Sequence, residues 1–289
     1  MNLSDFLAEP KKEIKLSDFD TNYSYKYNSK EEAAEKLNMN IQEMSELQNL
    51  LYAQDRWSLL IIIQAMDAAG KDGTIKHVMS GLNPQGTQVY SFKQPSIEEL
   101  DHNYLWRFYK TLPERGRIGI FNRSYYEDVL VVKVHNLLEV SKLPQELITE
   151  DIWEKRYKQM KDFEKNLFEN GTKVIKFFLN VSKKEQKKRF LRRIEDPSRN
   201  WKFSEADVRE RKLWKEYQNA YEKAISGTST DFAPWYIIPG DKKWFARLAV
   251  SEIIIDTLKS FKAEYPKLSD VQLKNLETVK QELLNEADD

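Results

Sequence analysis

The chain contains no cysteine, so disulfides, zinc–thiolate centres, iron–sulfur clusters and thiol nucleophiles are all excluded. Histidine is almost as scarce. His77, His102 and His135 stand far apart, and none belongs to a cluster with metal-ligand spacing. Long apolar runs are missing too: the longest, Leu59 to Ile63, falls far short of the ~20 residues that a membrane-spanning helix needs. The opening MNLSDFLAEPKKEIKL has no apolar core of signal-peptide length. These absences predict a soluble, cytoplasmic protein with no membrane partner. Neither charge is in excess: 46 Lys and Arg balance 46 Asp and Glu, which argues against a basic-coated nucleic-acid binder. A neutral total still permits a local basic groove.

What is present suffices for a sizeable core, since 40% of the 289 residues are hydrophobic. The continuous apolar run over 57–66 predicts a buried strand, with further strands over 89–92, 117–121, 173–179 and 235–238. Helical patterns cover 30–54, 72–82, 98–112, 125–138, 149–169, 183–195, 205–225, 245–261 and 270–287. Residues 1–30 are polar and tyrosine-dotted, and read as an arm on the surface. Strands alternating with helices predict an α/β fold with a parallel sheet covered on both faces. No repeat or linker divides the chain, so one domain is expected over 1–289. Within it stand an N-terminal arm and helix (1–54), a lid segment (183–226) and a C-terminal helix (262–289).

The chemistry begins at IIIQAMDAAGKDGTIKHV, Ile61 to Val78, a strand that turns at Gly70-Lys71 into a helix. The phosphate-cradling P-loop is Gly-x-x-x-x-Gly-Lys-Ser/Thr in this setting. Gly70 and Lys71 fit it; Ala65 stands for the leading glycine and Asp72 for the Ser/Thr. Backbone N–H groups from Ala69 to Thr74 would face an anion at the helix start, where the dipole favours negative charge. Gly70 and Gly73 allow close approach, and Lys71 supplies a cation to a phosphoryl group. The plainer reading is a strand–turn–helix corner with a surface lysine. Asp67 inside the loop reads as a Mg²⁺ ligand, or as a cap for the turn. At the tip of the 117–121 strand stand Asn122, where a P-loop enzyme carries its metal-facing acid, and Arg123, suited to bidentate phosphate contact or to a structural ion pair.

The densest positive run is KKEQKKRFLRRIEDPSRNWK, Lys183 to Lys202, with nine Lys/Arg against three acids. A basic helix is often only a solvated face. This one follows a core strand, where nucleotide-type kinases carry a lid that closes over phosphates. Arg192, Arg193, Arg199 and Lys202 are therefore candidate phosphate ligands, together with Lys71, Lys76 and Arg123. Trp201 and Phe203 could stack on a base or anchor this lid, and anchoring is the favoured expectation.

Four stretches together resemble the polyphosphate kinase 2 family: MDAAGKDGTIKHV, RIGIFNRSYYEDVLV, RRIEDPSRNWKFSEADVRERKLWKEYQNAYEKAI and APWYIIPGDKKWFAR. They span about two thirds of the chain. The resemblance implies a thymidylate-kinase-like, three-layer P-loop kinase with a helical lid. It implies Mg²⁺-dependent, reversible phosphoryl transfer between inorganic polyphosphate and AMP, ADP or ATP, with GMP and GDP as further candidates. Asp67, Gly70 and Lys71 match the family's Walker A loop; Asn122 and Arg123 match its Walker B segment. Asp67, Lys71 and Arg123 are then the catalytic set, Asp67 and Asn122 the metal ligands, and Asn122, Tyr126 and Glu127 the nucleotide contacts. Asn-Arg-Ser-Tyr-Tyr-Glu-Asp at 122–128 departs from the commoner Asp-Arg-Ser-Trp-Tyr-Asn-Arg, and looks like the subgroup accepting AMP as well as ADP. The family also suggests a dimer or tetramer. An ATP-dependent kinase on the same core is the first alternative, a P-loop-derived protein that senses nucleotide or polyphosphate without turnover the second, and no Asn-Lys-x-Asp motif supports a GTPase.

Overall fold

Every residue of Ser58–Gln64 (β2) is buried, which is why its middle, Leu59–Ile63, is continuously apolar instead of alternating. In the computed structural model, which describes residues 1–286, β2 lies inside a six-stranded sheet ordered β1-β6-β5-β2-β4-β3. The other strands are β1 (Leu7–Ala8), β3 (Thr87–Ser91), β4 (Ile118–Asn122), β5 (Thr172–Asn180) and β6 (Trp235–Pro239). All neighbours are parallel except β1, which pairs antiparallel with β6.

Alternate residues of each strand leave opposite faces, and helices cover both. Leu59, Ile61 and Ile63 pack into the core formed with α1 (Lys30–Gln54), α2 (Lys71–Val78) and α10 (Lys243–Ser260). Leu60 and Ile62 pack towards α6 (Ile152–Glu169) and α9 (Trp214–Thr228). Each such side chain contributes about 1.5–3 kcal/mol by leaving water. The result is a three-layer architecture, helices on both faces of a mostly parallel sheet.

The long helices follow the sequence pattern closely. Helix α1 starts where Ser29 accepts from the Glu32 N–H, and α7 spans Lys183–Glu195, capped by Ser182 and ended ahead of Pro197. Four expectations need correction. The helix over 98–112 is two single turns, α3 (Ile97–Leu100) and α4 (Trp106–Tyr109). The helix over 125–138 is a 3₁₀ turn over Tyr125–Val129 and the short α5 (Val131–Val134), because burying Tyr125, Tyr126 and Val129 overrides helical periodicity. The helix over 205–225 divides into α8 (Glu205–Glu210) and α9; Tyr217, Tyr221 and Ile225 of α9 lie in the core, so α9 belongs to the body, not to a lid. The arm of residues 1–30 adds edge strand β1 and buries Phe6, Ala8 and Leu16. Helix α11 spans Asp270–Asn285; Ala287, in the predicted helix, lies outside the described residues.

Candidate active site

The strands are parallel, so β2, β4, β5 and β6 all end on one edge of the sheet, and the loops leaving them meet there. The β2 loop is strained into shape. Ala68 adopts φ +59° and Gly70 φ +110°, and across from them Arg123 adopts φ +65°. Left-handed conformations at Ala and Arg cost about 1–3 kcal/mol each, and such strain concentrates where geometry serves a ligand. Gly70 caps α2 without any side-chain hydrogen bond, leaving first-turn N–H groups to meet an anion.

Helix α7 clamps the loop from above. Gln186 donates to the Asp67 carbonyl at 2.9 Å. Arg189 donates to the carbonyls of Ala68 (3.2 Å), Ala69 (2.6 Å), Gly240 (2.6 Å) and Asp241 (3.0 Å), and from Nε to Glu185 at 2.9 Å. These five bonds use every N–H of the guanidinium. Arg189 is therefore a clasp joining the β2 loop to the β6 loop, with no donor left for phosphate. Gly240 permits this join: a Cβ there would stand 2.8 Å from the Asn180 carbonyl oxygen.

Charge around the loop is balanced in pairs. Lys71 Nζ turns back to the Ala65 carbonyl at 2.9 Å. Burial lowers its pKa and Arg123 adds to the effect, against the pull of Asp67, Glu127 and Asp72. Arg123 contacts Asp67 at 3.3 Å. Burial pushes the Glu127 carboxyl up, while Arg123 and Lys71 hold it down. Asn122 Nδ2 donates to Asp72 at 2.8 Å, whereas its Oδ1 is buried with no donor.

Two unlike spaces flank this centre. On one side a cavity of about 990 Å³ opens beside Arg123 and Glu127, bounded by Phe92, Tyr104, Arg107 and His135. Its wall includes the buried Asp128–Arg156 pair, at 2.9 Å, with Arg156 over the Tyr104 ring. On the other side is a rail of cations. The Lys243 ammonium, near Gly70, is pushed down to about 8 by burial and by Arg189, Arg247, Arg192 and Arg199. Arg247 reaches Gly73, whose absent Cβ would lie 3.6 Å from the guanidinium.

The sequence-predicted residues divide accordingly. Asp67, Lys71, Asn122, Arg123 and Glu127 are brought together, with Ala69, Gly70, Asp72 and Gly73 in the loop and first turn of α2. Thr74 is buried, its N–H bonded to the Gly70 carbonyl. Lys76 is exposed further along α2. Arg192 and Arg199 act on Lys243, but Arg199 also pairs with Asp196 at 2.5 Å, and Arg193 pairs with Asp207 at 2.9 Å. Lys202 sits over the Trp201 ring, and Trp201 is 78% exposed, so it anchors nothing. Tyr126 is a correction: its side chain is fully buried, with its hydroxyl against Glu164 and Lys176, and it takes no part in the cavity wall. Gln186, Arg189, Lys243 and Arg247 were not singled out from the sequence. Lys243 and Arg247 were legible as a basic run, GDKKWFAR, directly after a core strand.

A Gly-Lys loop held open at the carboxyl edge of a parallel sheet, with carboxylate and guanidinium facing it, defines a P-loop phosphotransferase fold whose work is to position phosphoryl groups. The chain belongs to the polyphosphate kinase 2 family, whose model matches residues 27–266. It is 52% identical over 260 residues to the ADP-polyphosphate phosphotransferase of Rhodopseudomonas palustris, covering 89% of this chain and 90% of that protein. It is 42% identical over 266 residues to the AMP/ADP-polyphosphate phosphotransferase of Meiothermus ruber, covering 92% and 96%. The crystal structure of polyphosphate kinase 2 from Arthrobacter aurescens superposes with TM-score 0.85 at 37% identity, over 95% of this chain and 98% of that one.

Proposed function

We propose that the protein transfers the terminal phosphate of inorganic polyphosphate to AMP and/or ADP, reversibly, with Mg²⁺ as cofactor. The observation that carries this reading is the asymmetry about Lys71 and Arg123. One flank is a roomy, largely apolar cavity suited to a nucleoside. The other is a rail of cations, Lys243, Arg247 and Arg192, suited to a long polyanion. An ATP-dependent small-molecule kinase has no use for a rail extending beyond the loop. The names of the two relatives support the same donor and acceptors.

The nucleotide's terminal phosphate oxygen attacks the end phosphorus of polyphosphate. The bond from that phosphorus to its bridging oxygen breaks, and the shortened chain departs with the electron pair. Lys71 and Arg123 neutralise charge on the transferring group and hold the reactants in line. Asp67 steers the Arg123 guanidinium, which it contacts. Glu127 lines the cavity alongside Arg123, where it orients the acceptor end of the nucleotide.

The donors fit a magnesium ion. The Asp67 carboxylate and the Asn122 Oδ1, buried and lacking a donor, would hold it, and phosphate oxygens and water would complete its shell. Bound there, it would screen charge on the phosphate oxygens. Among the described residues no three His, Asp or Glu gather as a metal cluster, which suits an ion that arrives with its phosphates.

The test is incubation with AMP or ADP, Mg²⁺ and polyphosphate, without ATP. Formation of ADP or ATP supports the reading. No product with any nucleotide, while ATP drives transfer to another metabolite, overturns it. GMP and GDP in the same assay measure purine selectivity. Polyphosphate affinity should fall steeply with salt, because binding a polyanion releases counterions.

A further inference from the structure

Among the described residues, helix α11 has no packing partner within its own chain. None of its residues is buried, and Leu273, Leu276, Val279, Leu283 and Leu284 are between 48% and 69% exposed. At 100° per residue these five fall on an arc of about 140°, the width of a core-facing stripe, shared with Gln272 and Lys280. The helix is joined to the body by 262–269, which carries no helix or strand. The family match ends at residue 266, ahead of α11. A 16-residue helix with an unburied apolar stripe is marginal in water by itself. The capping box at Ser269 and Gln272 starts the helix but covers none of its stripe.

We infer that α11 pairs antiparallel with α11 of a second copy of this chain. The charge pattern selects that occupant. Asp270, Glu277 and Glu282 outnumber Lys274 and Lys280, so an anionic lipid surface would repel the helix. Laid antiparallel about its midpoint at Glu277–Thr278, the helix is complementary to itself. Leu276 of each copy then meets Val279 of the other, and Lys280 of each comes alongside Glu277 of the other. Within one helix these two charges already lie on the same side, 3.9 Å apart. A two-fold arrangement makes every such contact twice.

The test is sedimentation of the full chain over a dilution series, with phosphotransfer measured alongside. Leu276→Asp/Leu283→Asp is expected to halve the mass of the assembly and leave turnover per subunit unchanged. Glu277→Lys and Lys280→Glu are each expected to weaken association several-fold, and mixing these two variants to restore it, because each then supplies the opposite charge. A wild-type chain that is monomeric, or an assembly indifferent to Leu276→Asp/Leu283→Asp, overturns the inference. So does weakened association that mixing fails to rescue, since α11 would then be covered by some other element. The readout is mass, so it stands or falls separately from the phosphotransfer reading.

Discussion

Replacing Lys243 by methionine should stabilise the free protein and weaken its hold on polyphosphate. The ammonium sits among Arg189, Arg247, Arg192 and Arg199, and burial and these cations bring its pKa from 10.5 to about 8. Taken whole, that shift corresponds to ~3.4 kcal/mol against the charged form. The group is partly exposed, and solvent screening trims this to roughly 1–2 kcal/mol. Methionine keeps the packing of the stem and removes the charge. Urea unfolding at pH 7 should therefore show the variant more stable by about that amount. The sign with pH follows from linkage. The folded-state pKa lies below the unfolded one, so the charged form costs stability fully below about pH 8. The cost fades as pH rises towards ~10.4, where the unfolded chain also deprotonates. The variant's advantage should shrink over that window. In activity assays the KM for polyphosphate should rise about tenfold, the equivalent of ~1.4 kcal/mol, with the KM for the nucleotide unchanged. In the wild type the polyphosphate KM should climb above pH 8, because binding must restore a proton to Lys243; the variant should lack this climb. A variant less stable at pH 7, or one whose two KM values rise together, would refute the reasoning.

Three further outcomes are expected. Asp67→Asn and Lys71→Ala should each lower turnover at least about a hundredfold, ~3 kcal/mol in the barrier, measured at saturating substrates; a near wild-type rate in either removes that residue from the mechanism. Arg189→Met should leave carbonyls of two loops without donors and cost ~3–5 kcal/mol of stability, seen as a large fall in Tm; an unchanged Tm would dispose of the clasp. Lys176→Met should cost a similar ~3–5 kcal/mol, because it strands Glu164, which Lys176 meets at 2.6 Å with both side chains fully buried. Adding Glu164→Gln should recover much of that loss, and a double variant as unstable as the single one would count against an ionic origin.

Much of the fold was legible because the signals were local. The unbroken apolar run of β2 and the serine caps of α1 and α7 each state their structure within a few residues. Legibility failed where burial overrode period. Tyr125 and Tyr126 are neighbours that a helix would send about 100° apart, yet a pocket containing Glu164 and Lys176 draws both hydroxyls to one carboxylate and breaks the helix. Lys176 itself reads as an ordinary strand lysine, and nothing near it in sequence reveals that Glu164 and the Thr228 carbonyl will receive its ammonium. Trp201 reads as an anchor by composition alone but stays in water.

By itself the sequence determined the parts that depend on neighbours along the chain: a buried strand, a turn at Gly70-Lys71, a helix start able to face an anion, and a basic helix after β5. Tertiary structure alone decided which cations are free. Arg189 and Lys243 are both basic residues that follow core strands, and no local pattern separates them. Folding places Arg189 where four carbonyls and Glu185 consume its donors, and leaves Lys243 among like charges. Apart from Glu185, one turn away on the same helix, that division rests on contacts between segments dozens of residues or more apart, which only the assembled sheet brings within hydrogen-bonding distance.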